Sequence, residues 1–91
     1  MFPSFQLGQI VATPGALAAL ERTKQPASCF LARHATGGLG ALDPEDVAEN
    51  EYSIVHGFRL MSNYQTDAAE TLWIITEADR SVTTLLLPDE Y

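Results

Sequence analysis

Cysteine, positive charge and long apolar runs are all scarce in this chain, and each scarcity removes a class of protein. A single cysteine, Cys29, excludes an internal disulfide and a thiolate zinc cluster, and it fits a reducing compartment. Five Lys and Arg stand against twelve Asp and Glu, for a formal charge of −7. Duplex DNA binding draws much of its affinity from cations that neutralise phosphates, so no direct duplex DNA binding is expected. The apolar runs are too short to cross a bilayer, and the start Met-Phe-Pro-Ser lacks the basic residues of a signal peptide. No membrane association and a cytoplasmic location are therefore the expectation. No Gly-x-Ser-x-Gly elbow occurs, and Thr36-Gly-Gly-Leu-Gly40 lacks the Lys-Ser/Thr ending of a phosphate loop. Neither His34 nor His56 has a His or Cys at ligand spacing, so neither a metal nor a cofactor is expected.

What remains is a globular composition, 46% apolar and 19% charged, in 91 residues that suit one domain, 1–91. The densest apolar segment is 72–87. Two runs rich in β-branched residues, 72–76 and 82–87, flank the polar connection Glu77-Ala78-Asp79-Arg80-Ser81, the composition of a β-hairpin. Upstream, residues 5–12 read as a strand in which Gly8 marks a bulge or a close backbone approach. Thr13-Pro14 reads as N-cap and first helical residue, opening a helix over 14–23 with Leu17, Leu20 and alanines on one stripe. Ser28 is placed to cap a second helix, 29–35, with Phe30 and Leu31 inward and Arg33 and His34 in its last turn.

Asp43-Pro44-Glu45-Asp46 predicts a third helix, running to about His56 and stopped by Gly57. Residues 58–64 alternate as a strand, with Phe58, Leu60 and Ser62 on one face and Arg59, Met61 and Asn63 on the other; 65–70 form a polar turn. The order is β-α-α-α-β-β-β. An α+β fold follows: a three- or four-stranded, mostly antiparallel sheet with helices on one face.

Two sets of residues stand out as candidate sites. The acids Asp43, Glu45, Asp46, Glu49 and Glu51 crowd one predicted helix, a surface suited to a basic protein partner or to solubility alone. Arg59, Ser62, Tyr64, Thr76, Arg80, Thr83 and Thr84 fall on successive strands or their connections, a placement that allows several of them to gather on the uncovered sheet face. There the arginines would grip a phosphate or carboxylate, or pair with nearby acids: Arg80 with Asp79 or Glu77, Arg59 with the acidic helix. His34 and His56, each at a predicted helix end, would complement the helix dipole or serve as acid or base. Cys29 reads as a buried structural thiol.

The segments Leu7-Gly-Gln-Ile-Val-Ala-Thr-Pro-Gly-Ala16, Phe30-Leu-Ala-Arg-His34 and Trp73-Ile-Ile-Thr-Glu-Ala-Asp-Arg-Ser-Val-Thr-Thr-Leu-Leu-Leu-Pro88 together resemble a family of short bacterial proteins carried on plasmids, integrative elements and phages. That resemblance implies a small accessory protein of a mobile genetic element. A second, looser similarity is to the barnase, EndoU, colicin and RelE group of metal-independent RNases. It implies His34 as acid or base, Arg59 and Arg80 on the scissile phosphate, and Tyr64 or Thr84 orienting it. An open sheet also leaves strand edges, through which a homodimer is a third expectation.

Overall fold

The computed structural model describes residues 6–35, 57 and 59–91. They form β1 (Gln9–Ala12), α1 (Pro14–Thr23), α2 (Ala27–Ala35), β2 (Leu60–Gln65), β3 (Thr71–Thr76), β4 (Val82–Leu86) and a closing 3-10 turn, η1 (Pro88–Glu90). The α+β class holds. The predicted helix over 43–56 lies outside the described residues.

The hairpin stands at the centre of the sheet, whose order is β1-β4-β3-β2. Antiparallel register pairs Ile74 with Leu85 and Ser62 with Ile74. The first strand enters differently: β1 runs parallel to β4, Ile10 beside Thr83 and Ala12 beside Leu85, which makes the sheet mixed. At 82–86 the last strand ends one residue earlier than expected, and the 3-10 turn that follows Leu87 carries the chain back against β3.

Local signals explain α1 at both ends. Thr13 Oγ1 accepts from the Ala16 amide at 3.1 Å, and Pro14 has no amide proton to leave unpaired. The helix stops where Lys24 takes a left-handed φ of 57° and its amide reaches the Leu20 carbonyl at 2.9 Å. The second helix begins at Ala27, two residues before the expected start, so Ser28 lies inside it and does not precede it. Ala16, Leu20 and Phe30 bring both helices onto one face of the sheet, where Tyr64, Leu72, Ile74 and Leu85 complete the core. Phe30 and Tyr64 meet with ring centroids 5.8 Å apart. Cys29, expected inside, is exposed, because the inward stripe of this helix runs through Phe30, His34 and Ala35.

The two ends of the described chain are tied by one carboxylate. Glu90 accepts from the Thr13 hydroxyl (2.5 Å), the Gly15 amide (3.1 Å) and the Leu87 amide (2.9 Å), which places a negative charge on the N-terminus of α1. These bonds hold its carboxyl below the ordinary range, the Thr13 bond first among them. Gly15 leaves room for this contact, since a Cβ there would stand 2.6 Å from the carboxylate and the Glu90 side chain would have to swing away. Gly15→Ala and Glu90→Ala are therefore expected to lower the melting temperature by similar amounts. The double variant should cost little more than either one, since each removes the same contact. Thermal unfolding of the three variants checks this; additive losses would mean the two residues act separately.

Candidate functional site

The most developed polar constellation is a buried ladder centred on His34. Helix α2 delivers this side chain from its last turn into the covered face of the sheet, where its relative exposure is 0%. Strand alternation supplies the partners. Leu60, Ser62 and Tyr64 of β2, Leu72, Ile74 and Thr76 of β3, and Thr83 and Leu85 of β4 all point to that face and are buried. His34 Nδ1 bonds Ser62 Oγ, and Nε2 lies 2.9 Å from Thr76 Oγ1. Thr76 Oγ1 is 2.7 Å from Thr83 Oγ1, which in turn donates to the Leu7 carbonyl at 2.7 Å.

The direction of every proton follows from the last of these groups. A carbonyl only accepts, so the single hydroxyl proton of Thr83 points at Leu7. Thr83 must then accept from Thr76, and Thr76, its own proton spent, must accept from His34. Nε2 therefore carries a proton. Burial keeps the ring neutral, pushing the His34 pKa down from 6.5 to about 4, so Nδ1 is left to accept from Ser62. Tyr64 extends the ladder through a hydrogen bond with Ser62; burial raises its phenol, partly offset by that bond and by the Arg33 guanidinium 4.6 Å from its ring centroid. A dipole-complementing cation is thus not the role of His34, despite its place in the last helical turn.

The residues of the catalytic reading do not meet in one cleft. His34 and Tyr64 lie in the core on the covered face. Thr84, register partner of Ile75 and Val11, alternates to the opposite face. Arg59 donates to the Tyr91 hydroxyl at 2.6 Å and lies 5.6 Å from the centre of its ring, which meets Trp73 edge-on. Arg80 adopts a left-handed φ of 62° in the hairpin turn and donates to the Glu77 and Ala78 carbonyls, both at 3.2 Å. Asp79, the expected partner of Arg80, accepts from the Ser81 amide and hydroxyl, which hold its carboxyl low. The polar strand residues divide instead: Ser62, Tyr64, Thr76 and Thr83 are inside, where His34 bonds Ser62 and Thr76, which in turn meet Tyr64 and Thr83. Ser62, Thr76 and Thr83 complete the ladder without having been singled out as a unit. Their inward parity with Leu60, Ile74 and Leu85 was the available signal.

On the opposite face, Asn63 and Trp73 are register partners whose Oδ1 and Nε1 are buried without hydrogen-bond partners among the described residues. Among the described residues no group of three or more His, Cys, Asp or Glu is placed to hold a metal ion, and no helix is long and apolar enough to cross a membrane. The acids Asp43, Glu45, Asp46, Glu49 and Glu51 lie outside the described residues. Comparison of the chain with protein-family models, curated proteins and solved structures finds no match.

Proposed function

We propose that this chain is a small acidic accessory protein of a mobile genetic element, working in the cytoplasm by binding a macromolecular partner and not by catalysis. One observation carries the non-catalytic part. The described histidine is wholly buried, and both of its ring nitrogens are spent on structural hydroxyls. An acid or base needs hydrogen-bond reach to a reacting group, and the two ring nitrogens of His34 lie against the hydroxyls of Ser62 and Thr76 inside the core. The charge supports the binding part: −7 overall, with Asp43, Glu45, Asp46, Glu49 and Glu51 inside a nine-residue stretch. Such a stretch favours a basic protein, for instance a nucleic-acid-handling complex whose groove is lined with Lys and Arg, and steers its approach over a distance set by salt. The resemblance to short plasmid- and phage-borne proteins supplies the setting.

The test is capture of a basic protein by the immobilised chain from bacterial extract, with identification of what elutes in rising salt. Glu45→Lys, Asp46→Lys and Glu49→Lys together are expected to abolish capture while the circular dichroism spectrum stays unchanged. Capture that is indifferent both to this triple reversal and to salt would overturn the acidic-surface reading.

A further inference from the structure

The strand at the sheet's edge has a feature that the acidic reading does not use. No side chain from Met1 to Leu20 is charged, and the first charged residue is Glu21, although the chain as a whole carries −7. This uncharged stretch contains β1 and most of α1. Three of the four large apolar side chains exposed among the described residues lie on these two elements: Ile10 at 43%, Val11 at 38% and Leu17 at 58%. Among the described residues β1 pairs only with β4, and none of them pairs with the backbone groups of its other edge.

The ladder with β4 shows which groups those are. The Gln9 amide donates to the Ser81 carbonyl at 2.8 Å and the Thr13 amide to the Leu85 carbonyl at 3.0 Å. Backbone direction alternates along a strand, so Gln9, Val11 and Thr13 face β4, while Ile10 and Ala12 turn their N–H and C=O groups outward. That spacing is self-complementary. An identical strand laid antiparallel, with a two-fold axis at Val11, sets Ile10 opposite the second copy's Ala12 and Ala12 opposite its Ile10. Each pair exchanges N–H···O=C bonds in both directions, and the two Val11 side chains meet across the axis as a non-hydrogen-bonded pair.

We infer that the open edge of β1 binds a second copy of this chain, antiparallel and in register about Val11, joining two four-stranded sheets into one. Charge selects this occupant. A basic partner finds no carboxylate on β1 to grip, whereas a second copy, which elsewhere meets an acidic twin, meets no charged side chain along this strand. The inference goes beyond the partner-binding reading, and salt separates the two. Screening should tighten a dimer of like-charged copies and weaken capture of a basic protein.

Sedimentation or light scattering over a micromolar-to-millimolar series is expected to show mass rising from 9.9 kDa toward twice that value, and rising further with added salt. Ile10→Pro removes an outward amide and no bond to β4, and Val11→Lys sets two cations face to face at the axis; both variants should remain monomeric with unchanged circular dichroism. Val11→Cys in a Cys29→Ser background should form a disulfide-linked dimer on oxidation, Cys29 being the exposed native thiol. Monomer at every concentration would overturn the inference, leaving the edge to a different chain. So would a dimer that survives Val11→Lys, whatever Ile10→Pro does to folding.

Discussion

Lowering the pH from above 6.5 to 4 is expected to remove about 3 kcal/mol of folding stability through His34 alone. The imidazole is neutral in the folded protein because it is buried, and its one proton sits on Nε2 because the Leu7 carbonyl orients the Thr83–Thr76 hydroxyl chain to accept there. Its folded pKa is about 4 against 6.5 when exposed. Between those values the unfolded chain binds a proton that the folded chain refuses, so stability is complete above 6.5, falls as the pH drops, and levels off below 4. The carboxyls of Glu70, Asp79 and Glu90 also weaken the fold in acid, since Arg22, Ser81 and Thr13 respectively hold them low. Their loss begins only below the ordinary carboxyl range, 4.5 for Glu and 3.8 for Asp, so the interval from 6.5 to 4.5 reports the histidine.

Urea unfolding across that interval measures the effect. A His56→Gln background leaves His34 as the single histidine. In that background His34→Gln is expected to be less stable at neutral pH, by roughly 1–3 kcal/mol for a hydroxyl left without its partner, and flat between 6.5 and 4.5. A wild-type curve that is equally flat would refute the buried neutral imidazole. Nitrogen shifts of the ring in the folded protein supply a second check, with the proton expected on Nε2.

Replacing Gly8 by alanine is expected to cost at least as much, about 3 kcal/mol, from two independent penalties. The backbone there has φ of +66°, where a Cβ is strained. That Cβ would also overlap the carbonyl oxygens of Arg80 and Ser81, both backbone atoms of the hairpin that have no rotamer through which to yield. The Ser81 carbonyl is the acceptor for the Gln9 amide, so relief by movement would open the β1–β4 ladder at its first bond. Gly57 provides the comparison. Its φ is +75°, yet nothing lies within 4 Å of a Cβ placed on it, so Gly57→Ala should carry the conformational penalty alone. The difference between the two unfolding midpoints isolates the close approach, and equal losses would show that no such approach exists. Against the roughly 5–15 kcal/mol total of a typical domain, the Gly8 loss leaves a marginal fold.

Local chemistry made much of this architecture readable in the residues themselves. Thr13-Pro14 starts α1 because a hydroxyl can accept an orphan amide and proline has none to leave unpaired. The runs read at 72–76 and 82–87 pair, as strands 71–76 and 82–86, because β-branched segments joined by a short polar turn have few alternatives. Gly8 signalled a bulge or a close approach, although not the identity of the hairpin carbonyls that require it. The alternation read over 58–64 put Ser62 with Leu60 and Met61 with Asn63. Net charge and the uncharged first twenty residues are sequence facts by definition.

The tertiary structure alone decided what pairs over long distances. Nothing near Gln9 specifies that β1 lies parallel to β4, more than seventy residues away, because register between remote strands is chosen by which faces can be buried together. Nor does the inward parity of Ser62, Thr76 and Thr83 show what would satisfy their hydroxyls inside the core. Polar side chains on a strand ordinarily mark its wet face, and these three sit inside because His34, arriving from a helix, bonds Ser62 and Thr76, while Thr76 and the Leu7 carbonyl satisfy Thr83. The same applies to Glu90, acidic and near the end of the chain, which the sequence presents as part of a solvated tail. It becomes the cap of the first helix because folding brings an orphaned amide and a threonine hydroxyl to its carboxylate.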